Sequence, residues 1–106
     1  MPKFLLEVSY NLDGVKGVMS EGGSARVAAA TELIEGLGGR LESFYFALGG
    51  VDLYVIADFP DYVSAAAAAM TVCAGGGATS RTVVLLTASE LDAAVAKKTT
   101  YRPPGG

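Results

Sequence analysis

Histidine is absent from the 106-residue chain, and Cys73 is its single cysteine. Without histidine the sequence lacks the usual general base, the commonest metal ligand and the usual partner of a nucleophilic serine or cysteine. One cysteine cannot form an intramolecular disulfide. Cys73 lies among alanines, which predicts a small buried apolar residue rather than a reactive thiol. No carboxylate spacing indicates a metal site, and we expect neither metal nor cofactor.

Charge of either sign is also scarce. Charged residues make up 18% of the chain, and the net charge is −3. Lysine and arginine occur singly rather than in a basic stripe, so nucleic-acid binding is not expected. No uncharged apolar run reaches the ~18 residues of a membrane span, and Glu7 interrupts the N-terminal apolar segment where a signal peptide would be uncharged. We therefore expect a cytoplasmic protein that binds no membrane.

Apolar residues, by contrast, are abundant. They make up 51% of the sequence, and the mean hydropathy is +0.40. Both values are high for one small domain, which leaves apolar surface beyond what a single core can use. A partner subunit or a ligand pocket is expected to cover that surplus.

Alternating and β-branched apolar residues predict four strands, at Lys3–Tyr10, Arg40–Leu48, Asp52–Phe59 and Thr79–Thr87. Helical spacing predicts a helix that begins at Ser24 as N-cap and ends at Gly38-Gly39, and a second at Tyr62–Ala74 capped by Asp61. A closing helix is predicted in "ASELDAAVAKK", capped by Thr87 or Ser89, with Lys97 and Lys98 in its last turn. Asn11–Ser20 is predicted to be a short helical turn, weakened by Gly14 and Gly17.

The order β-α-β-β-α-β-α predicts an α+β fold, the ferredoxin-like βαββαβ sandwich with a C-terminal helix. Two helices then cover one face of a four-stranded antiparallel sheet. Residues 1–98 are predicted to form one domain, and residues 99–106, which include Pro103 and Pro104, a C-terminal tail.

The central strands of this sheet lack a clearly polar face. Strict alternation places Arg40, Glu42, Phe44, Phe46 and Leu48 on one side of the second strand, and Leu41, Ser43, Tyr45 and Ala47 on the other. An exposed face should be polar at every second position. Since it is not, we expect the outer face to be covered by a second copy of the chain, in a homodimer or larger homo-oligomer of the dimeric α/β-barrel type.

Three segments, "MPKFLLEVSYNLDGVKGV", "EGGSARVAA" and "GGRLESFYFALGGVDLYVIADFPD", resemble the GYD domain family, small bacterial proteins without an assigned function. The resemblance runs from Pro2 to about Lys98 and implies a ferredoxin-like domain of the dimeric α/β-barrel type. The family's naming motif is a glycine followed shortly by a Tyr-Asp pair. Gly49 and Asp52 match it, but Val51 replaces the tyrosine, so no role of that tyrosine carries over.

Five residues are candidate ligand contacts: Ser24, Arg26, Tyr45, Asp52 and Tyr54. Ser24 and Arg26 lie at a helix N-terminus, where free amides and the helix dipole favour an anion; alternatively, Ser24 is only a cap and Arg26 a solvated charge. Asp52 either contacts a ligand or bonds turn amides beside a positive-φ Gly49. Tyr45 and Tyr54, with Tyr10, either orient a substrate carbonyl or belong to core and interface.

Two functions remain open. One is a non-catalytic oligomeric domain that binds a small molecule or serves in assembly. The other is a cofactor-independent enzyme, monooxygenase- or isomerase-like, acting on a small apolar or carbonyl substrate; this rests on fold-level analogy. A cavity with convergent arginine, tyrosine or glutamate groups would favour a ligand site over a purely structural role.

Overall fold

A computed structural model describes all residues from Met1 to Gly106. Its elements are, in chain order, β1 (Lys3–Tyr10), α1 (Leu12–Glu21), α2 (Gly23–Gly36), β2 (Arg40–Phe46), β3 (Leu53–Asp58), α3 (Tyr62–Ala74), β4 (Ala78–Leu85) and α4 (Ala88–Ala96). The strands form one antiparallel sheet in the order β2-β3-β1-β4. This is the strand order of a ferredoxin-like α+β domain, and it confirms the predicted fold class.

The hydrophobic core lies between one face of the sheet and the helices α2 and α3. The two central strands contribute alternate residues, Phe4, Leu6 and Val8 from β1 and Leu53, Val55 and Ala57 from β3. Ile34 of α2 and Ala65 and Ala68 of α3 close the core from the helix side. Alanine is small, so α3 can approach the sheet closely. We call this side of the sheet the helix-covered face.

The segment after β1 is a complete helix, α1, rather than a short turn. Asn11 caps it as predicted, since its side chain accepts a hydrogen bond from the Gly14 amide at 2.9 Å. Gly22, with φ of 85°, lets the chain pass directly from α1 into α2. Ser24 therefore lies within the first turn of α2, and no side chain caps that helix. The predicted Ser24 cap is wrong because α2 begins earlier, at Gly23.

Strict alternation along β2 is also wrong. Leu41 pairs with Ala57, but Ser43 pairs with the adjacent Ile56, so a β-bulge at Glu42 shifts the register. The extra residue places Leu41, Phe44 and Phe46 on the helix-covered face together. Strict alternation would have placed Leu41 on the face opposite Phe44 and Phe46, so the bulge puts the two parts of β2 in a different relation from the predicted one.

The C-terminal helix stands apart from the domain. Thr87 caps α4, as predicted, in a capping box with Glu90. The prediction that Lys97 and Lys98 lie in the last turn of this helix is wrong, because α4 ends at Ala96. No residue of α4 is buried, and Leu91 and Val95 are exposed. The radius of gyration is 16.9 Å, whereas a compact domain of this length has roughly 13 Å. Helix α4 and the tail account for the excess by projecting outward.

Asp61 caps α3 as predicted, accepting a hydrogen bond from the Ser64 amide at 2.7 Å. Cys73 is exposed rather than buried, since it lies on the solvent side of α3 near its end. None of the helices combines the length and apolar character that crossing a membrane requires.

Candidate functional site

A cavity of about 500 Å³ lies between the helix-covered face of the sheet and helices α1, α2 and α3. Its walls are mostly apolar, with Leu6, Val8, Leu53 and Val55 on the sheet side and Leu33 and Val72 on the helix side. Small-molecule sites typically have volumes of roughly 300–1,000 Å³ and apolar walls. The chain therefore contains space for a small apolar ligand.

Four polar side chains line this cavity: Tyr10, Glu21, Arg26 and Thr71. The Arg26 guanidinium bonds the Glu21 carboxylate, with Nη1 and Oε1 2.7 Å apart. The Thr71 hydroxyl donates to the Ala67 carbonyl oxygen at 2.7 Å, so its proton is already used within α3. Tyr10 and the Glu21–Arg26 ion pair keep further donors and acceptors that a ligand could contact, and we call these three residues the polar end of the cavity.

Burial and charge set the protonation of this polar end. Burial raises the pKa of the Tyr10 hydroxyl above its usual range, and the nearby positive charge of Arg26 only partly opposes this. The hydrogen bond that Arg26 donates to the Glu21 carboxylate raises the pKa of Arg26. At neutral pH Tyr10 is consequently a neutral phenol that can donate a hydrogen bond, and Arg26 is a cation already paired with an anion.

Glycines allow α1 to form one wall of the cavity. The Gly14 backbone packs so closely on Gly77 that a side chain at Gly14 would collide with the Gly77 carbonyl. The Asn11 amide donates to that same carbonyl at 3.0 Å, and the Asn11 side chain donates to the Gly76 carbonyl at 2.6 Å. These contacts fix the start of α1 against the loop that follows α3.

Of the five predicted ligand contacts, only Arg26 lines the cavity. Ser24 is exposed in the first turn of α2. Tyr45 and Tyr54 face each other across β2 and β3, with 71% and 38% of their surface exposed. They lie on the side of the sheet away from the helices, which we call the outward face.

Asp52 has a defined structural partner. Its carboxylate accepts a hydrogen bond from the Tyr10 amide at 2.8 Å, while its own amide donates to the Val8 carbonyl at 3.0 Å. The carboxylate therefore bonds the end of β1 rather than the amides of its own turn, and in this way helps to position Tyr10. Gly49 does not have a positive φ, so the predicted conformational reason for a glycine there is wrong.

Of the three residues at the polar end of the cavity, the sequence pointed to Arg26 as a ligand contact but not to Glu21. Tyr10 continues the apolar alternation of β1, which made a core role look equally suitable. Glu21 was not a candidate, because it is five residues from Arg26 and a glycine pair separates them. The only available signal was that glycine pair, since a sharp reversal at Gly22 brings the end of α1 beside the start of α2.

The outward face carries apolar residues in its middle and ion pairs around them. Leu5 pairs with both Ile56 and Val83 in the central strands. Lys3 bonds Glu42 and Asp58, each at 2.9 Å, and Arg40 bonds Asp58 at 3.2 Å. Arg81 approaches Glu7 at 3.9 Å. The hydrogen bond from Lys3 lowers the pKa of Asp58, with a further contribution from Arg40.

No group of three or more cysteine, aspartate or glutamate side chains has the arrangement of a metal site. No curated protein and no solved structure matches the chain at a significant level. The sequence model of the GYD domain matches residues 4–95, which spans the sheet, the cavity and nearly all of α4. The chain therefore belongs to the GYD domain family.

Proposed function

We propose that this protein is a non-catalytic, oligomeric domain that binds a small molecule in the cavity between its sheet and helices. The observation that carries the proposal is the cavity of about 500 Å³ with apolar walls and the polar end formed by Tyr10, Glu21 and Arg26. Burial of a ligand's apolar body supplies affinity, and a few polar groups at one end fix its orientation.

The polar end suits binding better than proton-transfer catalysis. Burial raises the pKa of Tyr10, which makes its phenolate scarce at neutral pH, and Glu21 is engaged by Arg26 at 2.7 Å. A general base needs a free lone pair in the form present at working pH. A cofactor-independent, monooxygenase- or isomerase-like enzyme acting on an apolar or carbonyl substrate would have to use one of these two groups.

A cavity-filling variant tests ligand binding. Ala30 lines the cavity, and Ala30→Phe would fill part of it. The probe is phenylnaphthylamine, an uncharged dye that fluoresces in apolar surroundings. We expect the wild-type protein to bind it with a saturable signal and Ala30→Phe to lose that signal.

Ala28→Phe is the matched control, because Ala28 is exposed on the same helix and does not line the cavity. It should bind the dye as the wild-type protein does. Equal binding by both variants, with unchanged circular dichroism, would place the dye outside the cavity and contradict the proposal.

The outward face supports self-association. Its strands carry three cations, Lys3, Arg40 and Arg81, and three anions, Glu7, Glu42 and Asp58, all joined in ion pairs. Because the face has no net charge, two identical faces do not repel each other. Leu5, Ile56 and Val83 offer an apolar centre that a second copy would bury. We therefore propose a homodimer, or a larger homo-oligomer, formed through this face.

Light scattering tests the assembly. The expected mass is at least twice the chain mass of 10.8 kDa, and Ile56→Asp, which places a charge in the apolar centre, should give monomers. Val63→Asp is the control, since Val63 is an exposed apolar residue of α3, away from the sheet. A monomeric wild-type protein at micromolar concentration would overturn the proposed assembly.

A further inference from the structure

We infer that the Glu21–Arg26 ion pair makes the cavity select an uncharged ligand, one with an apolar body and a single neutral hydrogen-bonding group, and reject anions. The inference rests on the proposed function, since it concerns the ligand of the same cavity. It assigns Glu21 as the residue that determines this specificity.

The geometry gives Arg26 a partner before any ligand arrives. Its Nη1 lies 2.7 Å from Glu21 Oε1, and both residues line the cavity. The two side chains come from different helices, α1 and α2, joined through Gly22. An anion entering the cavity would gain the attraction of Arg26 but would meet the carboxylate of Glu21 beside it.

Charge balance then decides the ligand class. The Arg26 and Glu21 side chains are 40% and 43% exposed, so a carboxylate or sulfonate beside them keeps part of its hydration. The hydration that it does lose in the apolar cavity is recovered only by an opposite charge that is free to pair with it. Glu21 already neutralises Arg26, so the polar end has no net charge. A neutral carbonyl, hydroxyl or amine group loses much less hydration and still finds hydrogen-bonding partners there.

Tyr10 supplies a suitable donor for such a group. Its phenol lines the cavity and stays protonated at neutral pH, because burial raises its pKa. The Asp52 carboxylate holds the Tyr10 amide at 2.8 Å, which fixes the backbone from which the phenol extends. A ligand acceptor can therefore take a hydrogen bond from Tyr10 while the ion pair remains intact.

Two dyes with the same aromatic body test the inference. Phenylnaphthylamine is uncharged, whereas anilinonaphthalene sulfonate carries one negative charge. We expect the wild-type protein to bind the uncharged dye about tenfold or more tightly than the sulfonate. Glu21→Gln should tighten sulfonate binding by about tenfold, because it frees Arg26, and should leave the affinity for the uncharged dye within about twofold.

Glu35→Gln is the matched control, since it removes one exposed carboxylate from α2 without touching the cavity lining. It should change neither affinity, and Ala30→Phe should remove both signals. If Glu35→Gln and Glu21→Gln gained sulfonate affinity equally, the gain would come from the net charge of the protein rather than from the freed Arg26, and the inference would be overturned. Equal wild-type affinities for the two dyes would also overturn it while leaving ligand binding intact, whereas binding of neither dye would overturn the proposed function itself.

Discussion

The two faces of this one sheet have contrasting composition and contacts. On the helix-covered face, Phe4, Ala57 and Phe59 are at most 1% exposed and have only apolar neighbours in the core. On the outward face, 38% of Val83 remains exposed, and the neighbouring strand positions carry ion pairs. Adjacent residues of the same strand thus belong to two different environments.

This difference shows what each face can contribute. The helix-covered face supplies most of the folding free energy of the single chain, because the apolar side chains at its centre are already removed from water. The exposed Arg81 adds little stability through its contact with Glu7, whereas Asp58, which bonds Lys3 and Arg40, is buried. The apolar centre of the outward face stays partly in water in the single chain. Apart from the cavity, the first face is covered within one chain, whereas the apolar centre of the second face is not.

Truncation of adjacent residues on the two faces gives the largest expected contrast. Phe4 packs edge-on against Phe59 and Tyr62, with ring centroids 5.7 and 5.8 Å apart. Phe4→Ala should lower the free energy of unfolding by about 3–5 kcal/mol. Leu5→Ala, on the outward face, should cost about 1 kcal/mol in the monomer, because less surface is buried there.

Urea unfolding measures both variants. The cost of Leu5→Ala should grow with protein concentration if a second copy buries the outward face. Similar costs for the two variants in dilute protein would remove the distinction between the faces.

Two glycines of α1 test how the cavity wall is held. Gly14→Ala would force the new methyl group against the Gly77 carbonyl, which should cost about 1–3 kcal/mol by overpacking. Gly17 has open space around it, so Gly17→Ala should instead stabilise the protein by about 0.5–1 kcal/mol through helix propensity. Thermal unfolding of the pair provides the measurement, and a Gly14→Ala variant as stable as Gly17→Ala would contradict the close approach at Gly14.

The ion pairs of the outward face should appear in the pH dependence of stability. The pKa of Asp58 is lowered from 3.8, chiefly by the hydrogen bond from Lys3. A carboxylate with a lowered folded-state pKa stabilises the fold above its unfolded pKa, and this stability is lost as pH falls through the folded value. We therefore expect this stability to be lost below about pH 4 and to be fully present, without further change, from neutral to alkaline pH.

Asp58→Asn isolates this contribution. The variant should be less stable than the wild-type protein at neutral pH and should lose less stability on acidification, as followed by urea unfolding at several pH values. Asp13→Asn, which removes an exposed carboxylate of α1 without an ion pair, should keep the wild-type slope. Identical slopes for Asp58→Asn and the wild-type protein would contradict the role of Asp58.

The smallest effect is expected from removing α4 and the tail. No residue of α4 is buried, so a chain ended after Leu86 should show nearly the same unfolding transition in dilute solution. Circular dichroism should lose only the signal of that short helix. A large drop in the melting temperature would show that α4 stabilises the domain.

Much of the fold could be predicted because it depends on local patterns. Alternation in "KFLLEVSY" defines β1, and Asn11 and Asp61 are capping residues whose side chains bond nearby amides. The helix α1 was underestimated, because its two glycines have low helix propensity while the contact of Gly14 with Gly77 is not local. The bulge at Glu42 was missed for a similar reason, since register depends on the partner strand β3.

The candidate site was harder to predict than the fold. Arg26 was found because it lies at the start of a helix, but the anion that pairs with it is this chain's own Glu21 rather than a ligand. Tyr45 and Tyr54 were expected in a pocket and lie on the outward face instead. Whether a strand residue is covered or exposed depends on which side of the sheet the helices pack against, and the strand sequence alone does not specify that side.

The sequence by itself determined the fold class, the GYD family membership and the presence of more apolar surface than one core needs, because these follow from composition, periodicity and motif order. Only the tertiary structure decided where that surface lies. It separated a cavity from an outward face, placed Tyr10, Glu21 and Arg26 together, and assigned Asp52 to the end of β1. Such contacts join residues far apart in the chain, and their partners are set by packing rather than by any local pattern.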